Sequence, residues 1–255
     1  MHVIDLNADL GETVSTLAGT APTADDEAMF AVISSASIAC GGHAGDAVSM
    51  ADAAARAART GVAIGAHPSY VDRENFGRVR VDVDPRTLQG QLEEQFAALR
   101  SAGADIRYVK PHGALYHSAG SDPETARAVT SAVAALAADL ARPVPILGLG
   151  TEIERAAGDA GIPFVREAFL DRGYLADGTL VPRGMPGDLV HHPAEAAARA
   201  VHLVETGRLI AADGTLLRVD AGSLCLHGDS PGAVETAHAV RRALDAAGIA
   251  VRAPW

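Results

Sequence analysis

"SASIACGGHAGDAVSMADAAARAARTGVAIGAH", residues 35–67, carries the periodicity that decides the fold. SASIAC at its start is a short apolar run, and VAIGAH at its end is another, each of strand length. Between them DAVSMADAAARAART repeats small apolar residues at i, i+3 and i+4, the spacing a core-facing helix requires. Strand, glycine-rich loop, helix and strand make one βα unit that leads into the next.

The alternation extends in both directions. HVIDLNA precedes it as a first strand, with a helix expected near residues 24–34. DIRYVK, VPILGL, PFVREAF and SLCLHG follow as strands four to seven, and IAVRAP as a terminal strand. Helices are predicted from Pro85 to about Gly103 and near 122–141, 151–161, 193–206 and 231–247. A polar loop occupies 68–84, and GRLIAADGTLLRVD (207–220) reads as a hairpin turning at Asp213 and Gly214. No linker or composition shift divides the chain, so residues 1–255 are expected to form one domain. Its fold class is predicted as α/β, a TIM-like parallel (β/α) barrel of about seven strands, with an open doubly wound sheet as the alternative.

Composition narrows the partners. A net charge of −11 without a basic stripe excludes a phosphate backbone as an obvious ligand, so no nucleic acid is expected. No run reaches about 18 uninterrupted apolar residues, so no membrane span is expected. The N-terminal MHVIDLNADLGE lacks the pattern of a secretion signal, and the expected compartment is the cytoplasm. Cys40 and Cys225 are expected to be buried free thiols there rather than a disulfide.

In a parallel barrel the chemistry gathers at the carboxyl ends of the strands. Asn7, Asp9 and Glu12 are read as following strand one, and His43 and Asp46 strand two. His67 ends strand three, Lys110 and His112 strand four, and His227 and Asp229 strand seven, while Glu167 and Arg172 belong to strand six and its loop. Lys110 is the only lysine among 21 Lys and Arg residues, a compact charge that can be desolvated and aimed. Glycines such as Gly42 let a ligand approach main-chain N–H groups, while Asp46 or Ser230 would serve equally as helix N-caps. No G-x-x-x-x-G-K-[ST] loop occurs, so a Walker-type nucleotide site is not expected.

DLNADLGE, ACGGHAGD, GAHPSY, KPHGALYH and CLHGDSP, in this order, resemble the LamB/YcsF family over residues 3 to about 250. The resemblance implies a barrel related to the glycoside hydrolase/deacetylase group. It also implies a share in opening 5-oxoproline (pyroglutamate) to glutamate with hydrolysis of ATP, alongside partner subunits B and C, with self-association left open. On that expectation Asp9, His43, His67, Lys110, His112 and His227 are the candidate catalytic groups. Asn7, Glu12, Gly42, Lys110, Glu167, Arg172 and Asp229 are the candidate substrate contacts. ATP is the expected co-substrate, bound in part by the partners. If a divalent metal takes part, Asp9, His43 and His67 are the expected ligands. The alternatives are a metal-dependent deacetylase or amidohydrolase of the same fold, and a lactam-binding component that does no chemistry itself.

Overall fold

The structure, a computed structural model, describes residues 2–12, 26–228 and 232–255. Its elements in chain order are β1 (Val3–Leu10), α1 (Asp26–Phe30), β2 (Ser35–Ala39), α2 (Ala47–Thr60), β3 (Ala63–His67), α3 (Pro85–Ser101) and β4 (Ile106–Val109). There follow α4 (Gly113–Ser121), α5 (Pro123–Leu140), β5 (Ile146–Gly148), α6 (Thr151–Asp159), β6 (Phe164–Phe169) and α7 (Pro193–Thr206). The chain ends with β7 (Arg208–Ile210), β8 (Leu216–Arg218), β9 (Ser223–His227), α8 (Ala233–Ala246) and β10 (Ala250–Val251).

The main sheet has the strand order β10-β1-β2-β3-β4-β5-β6-β9, and β1 also pairs with β9. Leaving aside the short β10, that order is cyclic over seven strands, the topology of a parallel (β/α) barrel. The expected fold class therefore holds. β7 and β8 form the antiparallel hairpin read from the sequence, with Leu209 opposite Leu217.

The described residues cluster into two compact units. The first takes in 2–8, 26–35, 166–228 and 232–254, and the second 9–12, 36–165 and 255. In the first, β10 runs parallel to β1 and β6 parallel to β9, with Glu167 in register with Ser223, and α7 packs on α8. In the second, β3 runs parallel to β4 and β4 to β5, and α3 and α6 pack on α5. Gly65 of β3 faces Tyr108 of β4 so closely that a Cβ would meet the ring at 2.2 Å. The absence of a side chain at Gly65 is what admits the buried tyrosine, whose hydroxyl lies 3.0 Å from Ser37 Oγ.

Helix ends follow local chemistry. Asp46 caps α2 by accepting from Val48 N and Ser49 N, while Ser49 Oγ accepts from Asp46 N, a reciprocal box. Asp84 caps α3 and Pro85 occupies its first turn. One helix was not expected: α4 begins at Gly113, directly after His112, where the sequence reads as loop. No helix among the described residues is long and apolar enough to cross a membrane.

Candidate functional site

β1 alternates strictly. Ile4, Leu6, Ala8 and Leu10 share one face, and Asp5, Asn7 and Asp9 the other, all of them buried. Asp9 thus lies within the strand rather than after it, which corrects the sequence reading, while Asn7 lies within it as the run HVIDLNA has it. A buried polar face must be satisfied by other polar groups, and each acid on it has found its partners.

In the second unit, Lys110 Nζ donates to Asp9 Oδ1 at 2.8 Å, with Lys110 1% and Asp9 8% exposed. His67, at the end of β3, brings Nε2 to 3.4 Å from Asp9 Oδ2. His112, just past β4, places Nδ1 2.9 Å from His67 Nε2. Glu12 Oε1 lies 3.2 Å from His43 Nε2 and 3.6 Å from His112 Nδ1. The rings of His43 and His112 stack with centroids 3.6 Å apart, and both stand edge-on to His67. Four strands, β1 to β4, therefore deliver these groups to one place. Glu12, His43, His67 and His112 each offer a ligand-capable atom within 4.8 Å of the others. This set differs from the expected metal ligands. It includes Glu12 and His112, whereas Asp9 is held by Lys110.

The electrostatics disfavour a charge on His43 and His112. Burial pushes His43 well below the ordinary histidine value, and the charge of a protonated His67 would push it the same way. Burial likewise holds His112 down, to about 2, reinforced by His43 and His67. Cys40 packs beside this group, accepting from His67 N, and burial pushes its thiol up to about 12. It is inert packing, as expected.

The polar loop 68–84, read from the sequence only as a connection, builds one wall of the site. Phe76 O lies 3.0 Å from His112 Nε2, and the Phe76 ring meets His43 and His112 edge-on. Gly77 adopts φ +63°, and a Cβ there would lie 2.8 Å from His43 Cβ. Its carbonyl accepts from Ala114 N at the start of α4. The glycine in NFGR is the one sequence signal that marked this loop. Gly42 is explained by packing, since a Cβ would lie 2.5 Å from both Gln95 Oε1 and Ser69 Oγ.

The remaining described candidates lie in the first unit, in three groups. Asn7 Nδ2 donates to Ser223 Oγ at 2.8 Å, with Leu224 O at 3.2 Å and Glu167 Oε2 at 3.4 Å. Ser223 in turn donates to Asp5, whose carboxyl burial pushes above the usual range. His227 Nδ1 lies 2.9 Å from Asp171 Oδ2, a partner that sequence reading missed. Burial pushes the Asp171 carboxyl up, but the His227 charge and hydrogen bonds outweigh it, and the net shift is downward. Arg172 donates through Nε to Asp188 O and through Nη2 to Val181 O, so its fork is engaged by its own loop. Asp229 lies outside the described residues.

Comparison with known proteins places the chain in a family. A profile of the LamB/YcsF family matches residues 4–254. A protein from Paracidovorax citrulli, named as the A subunit of 5-oxoprolinase, is 46% identical over 256 residues, covering 99% of both chains. One of the same name from Cutibacterium acnes is 45% identical over 258 residues, again at 99% of both. Among solved structures, a lactam utilization protein from Thermus thermophilus superposes with a TM-score of 0.89 at 41% identity, covering 98% of this chain and 99% of the other. With the profile spanning nearly its whole length and such relatives alongside, this chain belongs to the LamB/YcsF family.

Proposed function

We propose that this chain opens the lactam ring of 5-oxoproline to glutamate as the A component of an ATP-coupled 5-oxoprolinase, acting in the cytoplasm with two partner subunits. The observation that carries the reading is full-length identity to proteins named as the A component of 5-oxoprolinase. The buried Asp9–Lys110 pair beside His67 and His112 gives that reading its chemistry.

An unstrained lactam resists hydrolysis because its amide is resonance-stabilised, and the opened chain recloses readily. Phosphorylation of the amide oxygen at the expense of ATP would remove both obstacles, and we place that transfer largely on the partner subunits. The work left to this chain is to orient a water and stabilise the charge that develops when it attacks. Lys110 supplies a fixed positive charge away from bulk water, where such charge counts most, and Asp9 holds it in place. His67 is the candidate base. Its Nδ1 lies 2.7 Å from Lys110 O, and a carbonyl only accepts, so Nδ1 carries the hydrogen and, in the neutral ring, Nε2 has the lone pair.

The test is glutamate release from 5-oxoproline and ATP in the complex reconstituted with both partner subunits. His67→Asn should lower turnover by more than about 100-fold while assembly and 5-oxoproline binding persist. Undiminished turnover in that variant would discard the assignment.

A further inference from the structure

The histidine cluster aims two imidazole nitrogens and two carboxylates at one point, an arrangement that either a shared proton or a metal ion would hold together. His67 Nδ1 and His112 Nε2 each face a main-chain carbonyl, Lys110 O at 2.7 Å and Phe76 O at 3.0 Å. Carbonyl oxygens only accept, so both outward nitrogens must carry hydrogen, and a neutral imidazole has one N–H. With both rings neutral, the inward nitrogens, His67 Nε2 and His112 Nδ1, both present lone pairs, and they lie 2.9 Å apart. Carboxylate oxygens close on the same point, with Asp9 Oδ2 3.4 Å from the first and Glu12 Oε1 3.6 Å from the second. Electron pairs brought together this way repel unless a proton or a metal ion lies between them.

We infer that His67 Nε2, His112 Nδ1 and Glu12 form a binding site for a first-row divalent transition ion, with Asp9 beside it. Two imidazole nitrogens and a carboxylate suit zinc, cobalt or a similar ion better than magnesium or calcium. Tetrahedral bonds of about 2.1 Å put neighbouring ligand atoms about 3.4 Å apart, so the two nitrogens, 2.9 Å apart, would separate by about 0.5 Å to take up the ion. The two rings are nearly perpendicular, at 86°, which lets both in-plane lone pairs converge. The carbonyls that fix the outward N–H groups are the usual outer support of metal-binding histidines. His43 is excluded as a co-ligand despite its proximity. Its ring is parallel to that of His112, 3° between planes at 3.6 Å, so the two cannot aim in-plane lone pairs at one ion. His43 instead positions Glu12 through Nε2. The inference rests on the donor set and is independent of the lactam substrate, but an ion on His67 Nε2 occupies the lone pair that the base role given to His67 above requires, so cobalt binding would remove that role while leaving the substrate reading in place.

The experiment is titration of the full chain, stripped with a chelator, with cobalt(II) alone, followed by visible d–d absorption. One cobalt per chain with a ligand-field band is expected. Glu12→Gln and His112→Asn should each weaken binding by more than about 100-fold, and His43→Phe, which keeps the stacked ring, by less than about 10-fold. Failure of the wild-type chain to develop the band overturns the site, whatever the variants do. His43→Phe binding as weakly as His112→Asn overturns the ligand assignment. Nitrogen-15 shifts of the stripped protein give a second measurement: lone-pair signatures at both inward nitrogens support the site, and an imidazolium at either shows a proton as occupant and overturns it.

Discussion

Lys110 Nζ and Asp9 Oδ1 lie 2.8 Å apart with both side chains almost wholly buried, so the only lysine in the chain is one half of an interior ion pair. Removing either partner leaves the other charge stranded, at a cost of about 3–5 kcal/mol. Lys110→Met should therefore lower the melting temperature by roughly 6–20 °C. Asp9→Asn combined with Lys110→Met should lose less than the sum of the single changes, because the second substitution removes the stranded charge. Thermal unfolding of the three variants checks this. Additive losses would mean that the pair is not coupled.

Acid should weaken the fold through His43 and His112. Both are held below the ordinary histidine value in the folded chain, so below about pH 6.5 the unfolded chain takes up protons that the folded one refuses. The stability these neutral rings contribute is complete above that pH and is lost as pH falls, until the folded value is reached, about 2 for His112. The slope approaches about 1.4 kcal/mol per pH unit for each histidine. Urea midpoints at pH 7.5, 6 and 5 should fall in that order, and His112→Asn should flatten the trend. A midpoint insensitive to pH over this range contradicts the burial argument.

The strand ends were readable because apolar runs, glycines and helix periods mark them, and the residues His43, His67, Lys110 and His112 do meet in one place. The polar face of β1 was half readable. Its alternation is plain in VIDLNADL, yet Asp9 reads as the start of a loop because a buried acid is unexpected until its lysine is found 101 residues away. The 68–84 wall was not readable. Its contribution is a main-chain carbonyl and a glycine without side-chain chemistry, and what they contact is fixed only by tertiary packing. Arg172 was half readable for a related reason: sequence shows a fork suited to a carboxylate, but not the carbonyls that engage it.

Gly77 and Gly178 separate backbone strain from site geometry. Both have positive φ, +63° and +84°, but a Cβ at Gly178 meets nothing within 4 Å, whereas one at Gly77 lies 2.8 Å from His43 Cβ and 3.2 Å from His112 Cδ2. Gly178→Ala should cost about 1 kcal/mol, the left-handed penalty alone. Gly77→Ala should cost more and also displace the histidine stack, which histidine NMR shifts would report. Equal stability losses with unchanged histidine signals would show that the loop yields without disturbing the site.

Arg172 offers the sharpest choice between a structural and a recognition role. Its guanidinium reaches Asp188 O at 3.0 Å and Val181 O at 2.7 Å, and its own carbonyl accepts from Arg199 Nη1. A planar fork serves two carbonyls at once, and a lysine ammonium on a flexible stem does not reproduce that geometry. Arg172→Lys should thus loosen the 173–188 segment, raising its cleavage by a non-specific protease and lowering stability by about 1–3 kcal/mol through the carbonyls left unpaired. The KM for 5-oxoproline in the reconstituted complex should stay within about twofold, since a group that does not touch substrate leaves its binding energy in place. A KM raised tenfold or more with unchanged protease resistance would reverse the assignment and make Arg172 the carboxylate contact that its residue type first suggested.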